Sequence, residues 1–287
     1  MQMQCDEFLH ARSLRKRATA LAHDAHEDER MKSKTFSVLA SVILILSYGG
    51  AAAQSDPPDS FEPEAYAVVE AAYEFLADQT ALSFTGAATY DVEYQDGIRA
   101  QYGMEQSVDL QRGAGFRAFV DQDDFSSTAA WYDGDIITIV DHDLQLYGEA
   151  EAPGSLNDAL IFASDQLNVP VPLVEILRAD SLSRLISNFE YGLIIGQHEV
   201  AGYLCDHVLF GNEAVSVQLW IDVGDHPLLR KIVVTYQQEP GVPQYAAVLA
   251  DWDIAPDFSA DDFSFSPPAG FEPIGIVQIG MTDEEGE

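Results

Sequence analysis

From Glu64 to Asp78 the apolar residues recur at helical spacing: Ala65, Val68, Val69, Ala72, Phe75 and Leu76 share one face, opposite Glu70, Glu74 and Asp78. Pro63 fits the first turn of that helix. The period then changes to two. Phe84, Gly86, Ala88, Tyr90, Val92 and Tyr94 alternate with Thr85, Ala87, Thr89, Asp91, Glu93 and Gln95. Ile98, Ala100, Tyr102, Met104, Val108 and Leu110 alternate in turn with Arg99, Gln101, Glu105, Ser107, Asp109 and Gln111. Long strands with one wet face belong to antiparallel sheets. Asp96-Gly97 and Asp133-Gly134 supply turns, and shorter strands follow over 116–122, 127–132, 135–141 and 144–149. Pro153-Gly154 interrupts the sheet. Helical period returns over 155–167 and 171–188, the second stretch divided at Asp180-Ser181. Strands resume over 190–200, 203–211, 215–223, 228–237 and 245–252, with a last one near 263–266. The order is helix, six strands, helices and about six more strands, which predicts an α+β fold, mainly β.

Upstream of this pattern, Met31 to Gln54 has another grammar. Lys32 and Lys34 precede an apolar core from Phe36 to Leu46, and Ala51-Ala52-Ala53 forms a small-residue cleavage site. That is the pattern of a secretory signal peptide, with an apolar run too short to span a bilayer. The expected organisation is an upstream extension at 1–30, a signal peptide at 31–53, a linker at 54–62, one domain at 63–280 and an acidic tail at 281–287. Cleavage after Ala53 predicts a periplasmic location and no transmembrane span in the mature form.

The charge changes what such a domain can meet. Residues 54–287 keep 7 bases against 42 acids, a formal charge of −35, and Lys231 is their one lysine. A chain this acidic repels nucleic acid, which needs bases to neutralise phosphates. Its apolar and aromatic content still predicts a folded domain with an acidic shell. Cys205 is the one cysteine after the signal segment, so no disulfide is expected within residues 54–287.

"GYLCDHVLF", Gly202 to Phe210, sets Cys205, Asp206 and His207 side by side. On a strand, Cys205 and His207 share a face with Tyr203 and Leu209, and Asp206 points the other way. The run is therefore no self-contained triad. A cysteine-dependent hydrolase or transferase using Cys205 and His207 is the alternative to a packed, inert thiol. Asp141-His142-Asp143, the acids Asp121, Asp123 and Asp124, and His198-Glu199 lack the spacing of metal motifs, and no metal is predicted. There is no phosphate loop, dinucleotide fingerprint or Gly-x-Ser-x-Gly, so no cofactor or catalytic residue is assigned.

Val200 to Tyr245 carries a resemblance. Gly202, Cys205-Asp206-His207, Gln218-x-Trp220-Ile221, Gly224-Asp225-x-Pro227-x-x-Arg230-Lys231 and Pro243-Gln244-Tyr245 resemble the domain-of-unknown-function 2092 family of predicted periplasmic proteins. Val171 to Leu177 and Asp261 to Ile274 are similar to further segments of it. The resemblance implies the half-barrel of the periplasmic lipoprotein carriers: a curved antiparallel sheet of about eleven strands wrapped over an N-terminal helix and helices inserted midway. It implies no activity.

Leu228-Leu229, Ile232-Val233-Val234 and Ala246 to Ala250 are apolar on both faces, as expected of strands covered twice or bearing a ligand. Arg230 and Lys231 are expected on opposite faces, each paired with acids such as Asp206, Asp222 or Asp251. A curved sheet over helices predicts a hydrophobic cavity lined by Tyr90, Tyr94, Tyr102, Met104, Leu160, Ile161, Leu173 and Leu185. The sequence thus points to a non-enzymatic protein that binds an acyl-type ligand or an envelope protein partner, with a purely structural envelope module as a further alternative.

Overall fold

The computed structural model of the chain describes residues 60–93, 98–165, 167, 177–178 and 181–276. Helix α1 (Pro63–Asp78) is followed by β1 (Ala81–Glu93), β2 (Arg99–Gln111), β3 (Gly115–Gln122), β4 (Ser127–Tyr132), β5 (Ile136–Asp141) and β6 (Leu146–Glu151). Helices α2 (Leu156–Asp165) and α3 (Ser181–Asn188) come next. Then follow β7 (Tyr191–Val200), β8 (Tyr203–Gly211), β9 (Val215–Asp222), β10 (Leu229–Tyr236), β11 (Gln244–Asp253) and β12 (Glu272–Ile274). The strands form one open sheet in the order β12-β6-β5-β4-β3-β2-β1-β11-β10-β9-β8-β7. Its two halves join where β11 pairs with β1, Tyr245 opposite Tyr90.

This is the half-barrel topology expected, with two corrections. No strand forms at 263–266. Ala260–Phe263 is a short 3-10 turn, closed at its start by a reciprocal hydrogen-bond pair between Ser259 and Asp262. Phe263 is buried there beside Gly115, which takes its backbone out of any ladder, and Pro267-Pro268 follows. The chain returns at β12, which pairs in parallel with β6. The sheet is therefore twelve-stranded and mixed rather than purely antiparallel.

Alternation decides the two faces. Helix α1 buries Ala65, Val69, Ala72 and Leu76, and packs on β7, β8, β9 and α3. Phe61, just before it, meets Phe210 at a ring distance of 5.5 Å, which marks the Phe210 side of the sheet as the interior. One cross-strand row on that side is continuous: Gly192, Phe210, Val217, Val234, Tyr245, Tyr90 and Tyr102 stand opposite one another in turn on seven strands. Beside it run Val208, Leu219, Ile232, Ala247, Ala88 and Met104. Ile98, expected on the apolar face of β2, is 66% exposed, because it precedes the strand and the alternation has not begun. Within 171–188 the described helix is α3; the earlier part of that expected helix lies outside the described residues, apart from Leu177 and Arg178.

Both sheet edges are occupied over part of their length. Ser60 to Glu62 lies along β7: Glu62 N–H donates to Gly192 O at 2.8 Å, and the Glu62 carboxylate accepts from Ile194 N–H at 2.8 Å. At the other edge, β12 covers β6.

Candidate functional site

The expected cavity residues divide in three. Tyr90 and Tyr102 sit opposite each other on β1 and β2 and stack with ring centroids 5.6 Å apart. Met104 is on the same face, opposite Ala88. Tyr90 donates to Gln122 Oε1 at 2.7 Å. Leu160 on α2 and Leu185 on α3 are buried, and Ile161 is half-buried. Tyr94 and Leu173 lie outside the described residues, as do the expected upstream extension, signal segment and acidic tail.

Sequence reasoning missed a polar spot on this face. Gln106 stands between Met104 and Val108, where an apolar residue would be expected, and is 5% exposed. Its side-chain amide meets the Tyr245 hydroxyl at 3.4 Å. Tyr236, one strand further, is 4% exposed and its hydroxyl has no hydrogen-bond partner among the described residues. Burial pushes the Tyr245 phenol up to about 12 and raises Tyr236 further. Both are neutral donors at any physiological pH. The visible signal was Gln106 itself, a polar interruption in an apolar alternation. Arg178, beyond α2, is also buried and was not singled out.

The motif residues of β8–β10 gather on the outer face. Cys205 is fully buried beside Trp220 and Val233, with Val200 and Ala246 packed around them. Burial, with Asp222 adding to it and Arg230 opposing, pushes its thiol up to about 11. Its Sγ donates to Tyr203 O at 3.4 Å. His207 does not serve the thiol. Its Nε2 meets Gln218 Oε1 and its Nδ1 meets His198 Nδ1, both at 3.1 Å. With Gln218 accepting from Nε2–H, His207 Nδ1 is the acceptor and His198 the donor. The His207 ring stacks on Trp220 at 4.0 Å and 13°. Burial lowers its pKa from 6.5, with His198 and Lys231 acting the same way and Gln218 opposing.

Arg230 and Lys231 share this face, contrary to the alternation expected of a regular strand. A β-bulge between Leu229 and Lys231 makes Arg230 an extra residue. Arg230 donates to Asp222 Oδ2 at 2.8 Å and lies 3.5 Å above the Tyr203 ring. Lys231 Nζ sits 4.6 Å from the Trp220 ring. Lys231 has no ion pair among the described residues. Asp206, on the other face, accepts from Gln197 at 3.0 Å. Gly202 follows Ala201 in the β7–β8 turn, both at positive φ, and Pro227 lies in the β9–β10 link.

The acidic clusters prove to be backbone caps. Asp141 accepts from Asp143 and Leu144 N–H, Asp143 from Ser127 N–H, Asp123 from Gly103 N–H, and Asp124 from Ser126 N–H. Among the described residues no three His, Cys, Asp or Glu side chains converge as metal ligands. A shallow groove of about 350 Å³ crosses the outer face of β11, β1, β2 and β3, lined by Val248, Ala87, Thr85, Ser107, Glu105 and Phe119. It contains none of the expected cavity residues.

A family model described as predicted periplasmic protein, domain of unknown function 2092, matches residues 65–277. The chain belongs to that family. No curated protein matches the chain significantly in sequence. Among solved structures it is similar to an uncharacterised conserved protein from Thermus thermophilus (6% identity, 74% of this chain and 99% of that one, TM-score 0.45). It is also similar to LprF from Mycobacterium bovis (13% identity, 71% and 97%, TM-score 0.43). A third is the MucA/MucB complex of Pseudomonas aeruginosa (16% identity, 71% and 61%, TM-score 0.40). No described helix of this family member is long and apolar enough to cross a membrane.

Proposed function

We propose that the protein is an exported, non-enzymatic binding protein whose interior sheet face holds an acyl-type chain beside helices α2 and α3. The observation that carries this is the cross-strand row from Phe210 to Tyr102, apolar and aromatic over six strands, beside a band of small residues at Ala88 and Ala247. Aromatic walls flanking small side chains suit a flexible hydrocarbon. A dozen buried methylenes at about 0.8 kcal/mol each give about 10 kcal/mol of gross driving force, set against an association cost of about 4–15 kcal/mol. The Cys205–His207 alternative lacks support, because the thiol is raised and both His207 ring nitrogens are engaged elsewhere.

A second reading, docking of an envelope partner, is favoured by Tyr203, Leu204 and Val223, all more than 40% exposed beside Arg230. One experiment separates the two. Protein recovered from the periplasm, with Gln54 as its first residue, is delipidated and titrated with a fluorescent fatty acid. Saturable micromolar binding that Tyr102→Asp weakens at least tenfold, with the fold intact by circular dichroism, supports the interior site. Absence of binding leaves the docking reading.

A further inference from the structure

Tyr236 places an unpaired polar group on the interior face, among the described residues. Tyr236 is 4% exposed, on the same side as Val234 and Tyr245, yet its hydroxyl has no partner among the described residues. Native interiors seldom leave such a group unpaired without a reason. The neighbouring hydroxyl of Tyr245 is only loosely held, at 3.4 Å from the Gln106 amide. Two phenols and an amide thus interrupt an otherwise apolar sheet face. Both phenols keep their protons, so Tyr236 presents a donor and needs an acceptor.

The acceptor's charge follows from the surroundings. Tyr236 is 4% exposed on an apolar face, so an ionised carboxylate brought to its hydroxyl would give up its hydration at a large cost. A neutral ester carbonyl would give up far less. Among the described side chains, Arg99, Arg112, Arg117 and Arg230 are tied to Asp91, to backbone carbonyls, to Asp109 and to Asp222, the buried Arg178 is also engaged, and Lys231 lies on the outer face. We propose that Tyr236 donates a hydrogen bond to the carbonyl oxygen of an ester-linked acyl ligand, so that the interior face selects esters over free fatty acids. This rests on the acyl-binding reading above.

The test uses residues 54–287 and Tyr236→Phe, which keeps the ring and removes the hydroxyl. The unliganded variant should melt at the same temperature or higher, since it loses only an unsatisfied group. Its affinity for methyl palmitate and a monoacylglycerol should fall about tenfold, the loss of one buried hydrogen bond. Its affinity for a pyrenyl-alkane without a carbonyl should not change. Equal ester affinity together with a lower melting temperature would overturn the proposal and make the hydroxyl a structural, water-satisfied group. Tighter binding of palmitate than of its methyl ester would also overturn it, assigning the polar end to the buried Arg178. If the pyrenyl-alkane and the esters both fail to bind, the acyl reading falls and the anchor with it; if the pyrenyl-alkane binds and the esters bind no better, the anchor alone falls.

Discussion

His207 carries two consequences of being packed between His198, Gln218 and the Trp220 ring. It is unavailable as a base for Cys205, and it is held neutral. Its folded pKa lies below 6.5, so as pH falls through 6.5 the unfolded chain takes the proton first. Stability is then full above the unfolded value, declines as pH falls toward the folded value, and levels off below it. The unfolding free energy of the wild type should therefore fall more steeply between about pH 7 and pH 5 than that of His207→Gln. Denaturant titrations across that range check this. Parallel slopes would mean that the ring titrates normally. The groups that share its surroundings are His198, Lys231, Cys205 and Asp222, of which Lys231 and His198 act in the same direction as burial.

At the scale of elements, the start of β7 depends on a missing side chain. A Cβ at Gly192 would lie 2.5 Å from Phe210 Cε1 and 2.8 Å from Phe61 Cδ1. That closeness lets Phe61 rest on the sheet and brings Glu62 to the β7 edge, where it accepts from Ile194 N–H. Gly192→Ala should cost about 1–3 kcal/mol by overpacking. The melting temperature should fall by several degrees, at about 2–4 °C per kcal/mol for a domain of this size. An unchanged melting curve would show that Phe61 is free to move aside. The bulge in β10 is another element-scale device. By inserting Arg230 it sends two successive cations to one face, where Asp222 and the rings of Tyr203 and Trp220 receive them.

For the whole molecule the dominant fact is the charge. Seven bases cannot neutralise the 42 acids of residues 54–287. Of the bases, Arg99, Arg117 and Arg230 are in ion pairs with Asp91, Asp109 and Asp222. The remaining carboxylates repel one another across a surface that salt screens, with a Debye length of about 10 Å at 0.1 M and about 3 Å at 1 M. Raising sodium chloride from about 0.01 M to 0.5 M should lift the melting temperature by several degrees. A melting temperature indifferent to salt would show that the carboxylates are spaced too widely to matter.

Period alone determined most of the elements. Helix α1 and the strands 127–132 and 203–211 stand where alternation of apolar and polar positions places them, because burial of one face leaves a direct imprint on sequence. That Asp206 faces away from Cys205 and His207 was likewise legible from parity on a strand. Tertiary structure decided what parity cannot carry. A bulge shifts register by one residue and turned Arg230 to the face of Lys231. The parallel pairing of β12 with β6 depends on a turn anchored by buried Phe263 and on a contact between segments more than a hundred residues apart. The pairing of Gln106 with Tyr245, 139 residues apart in sequence, arises where β2 and β11 flank β1. Local pattern records which face of an element is buried; it holds no record of which buried face lies against which.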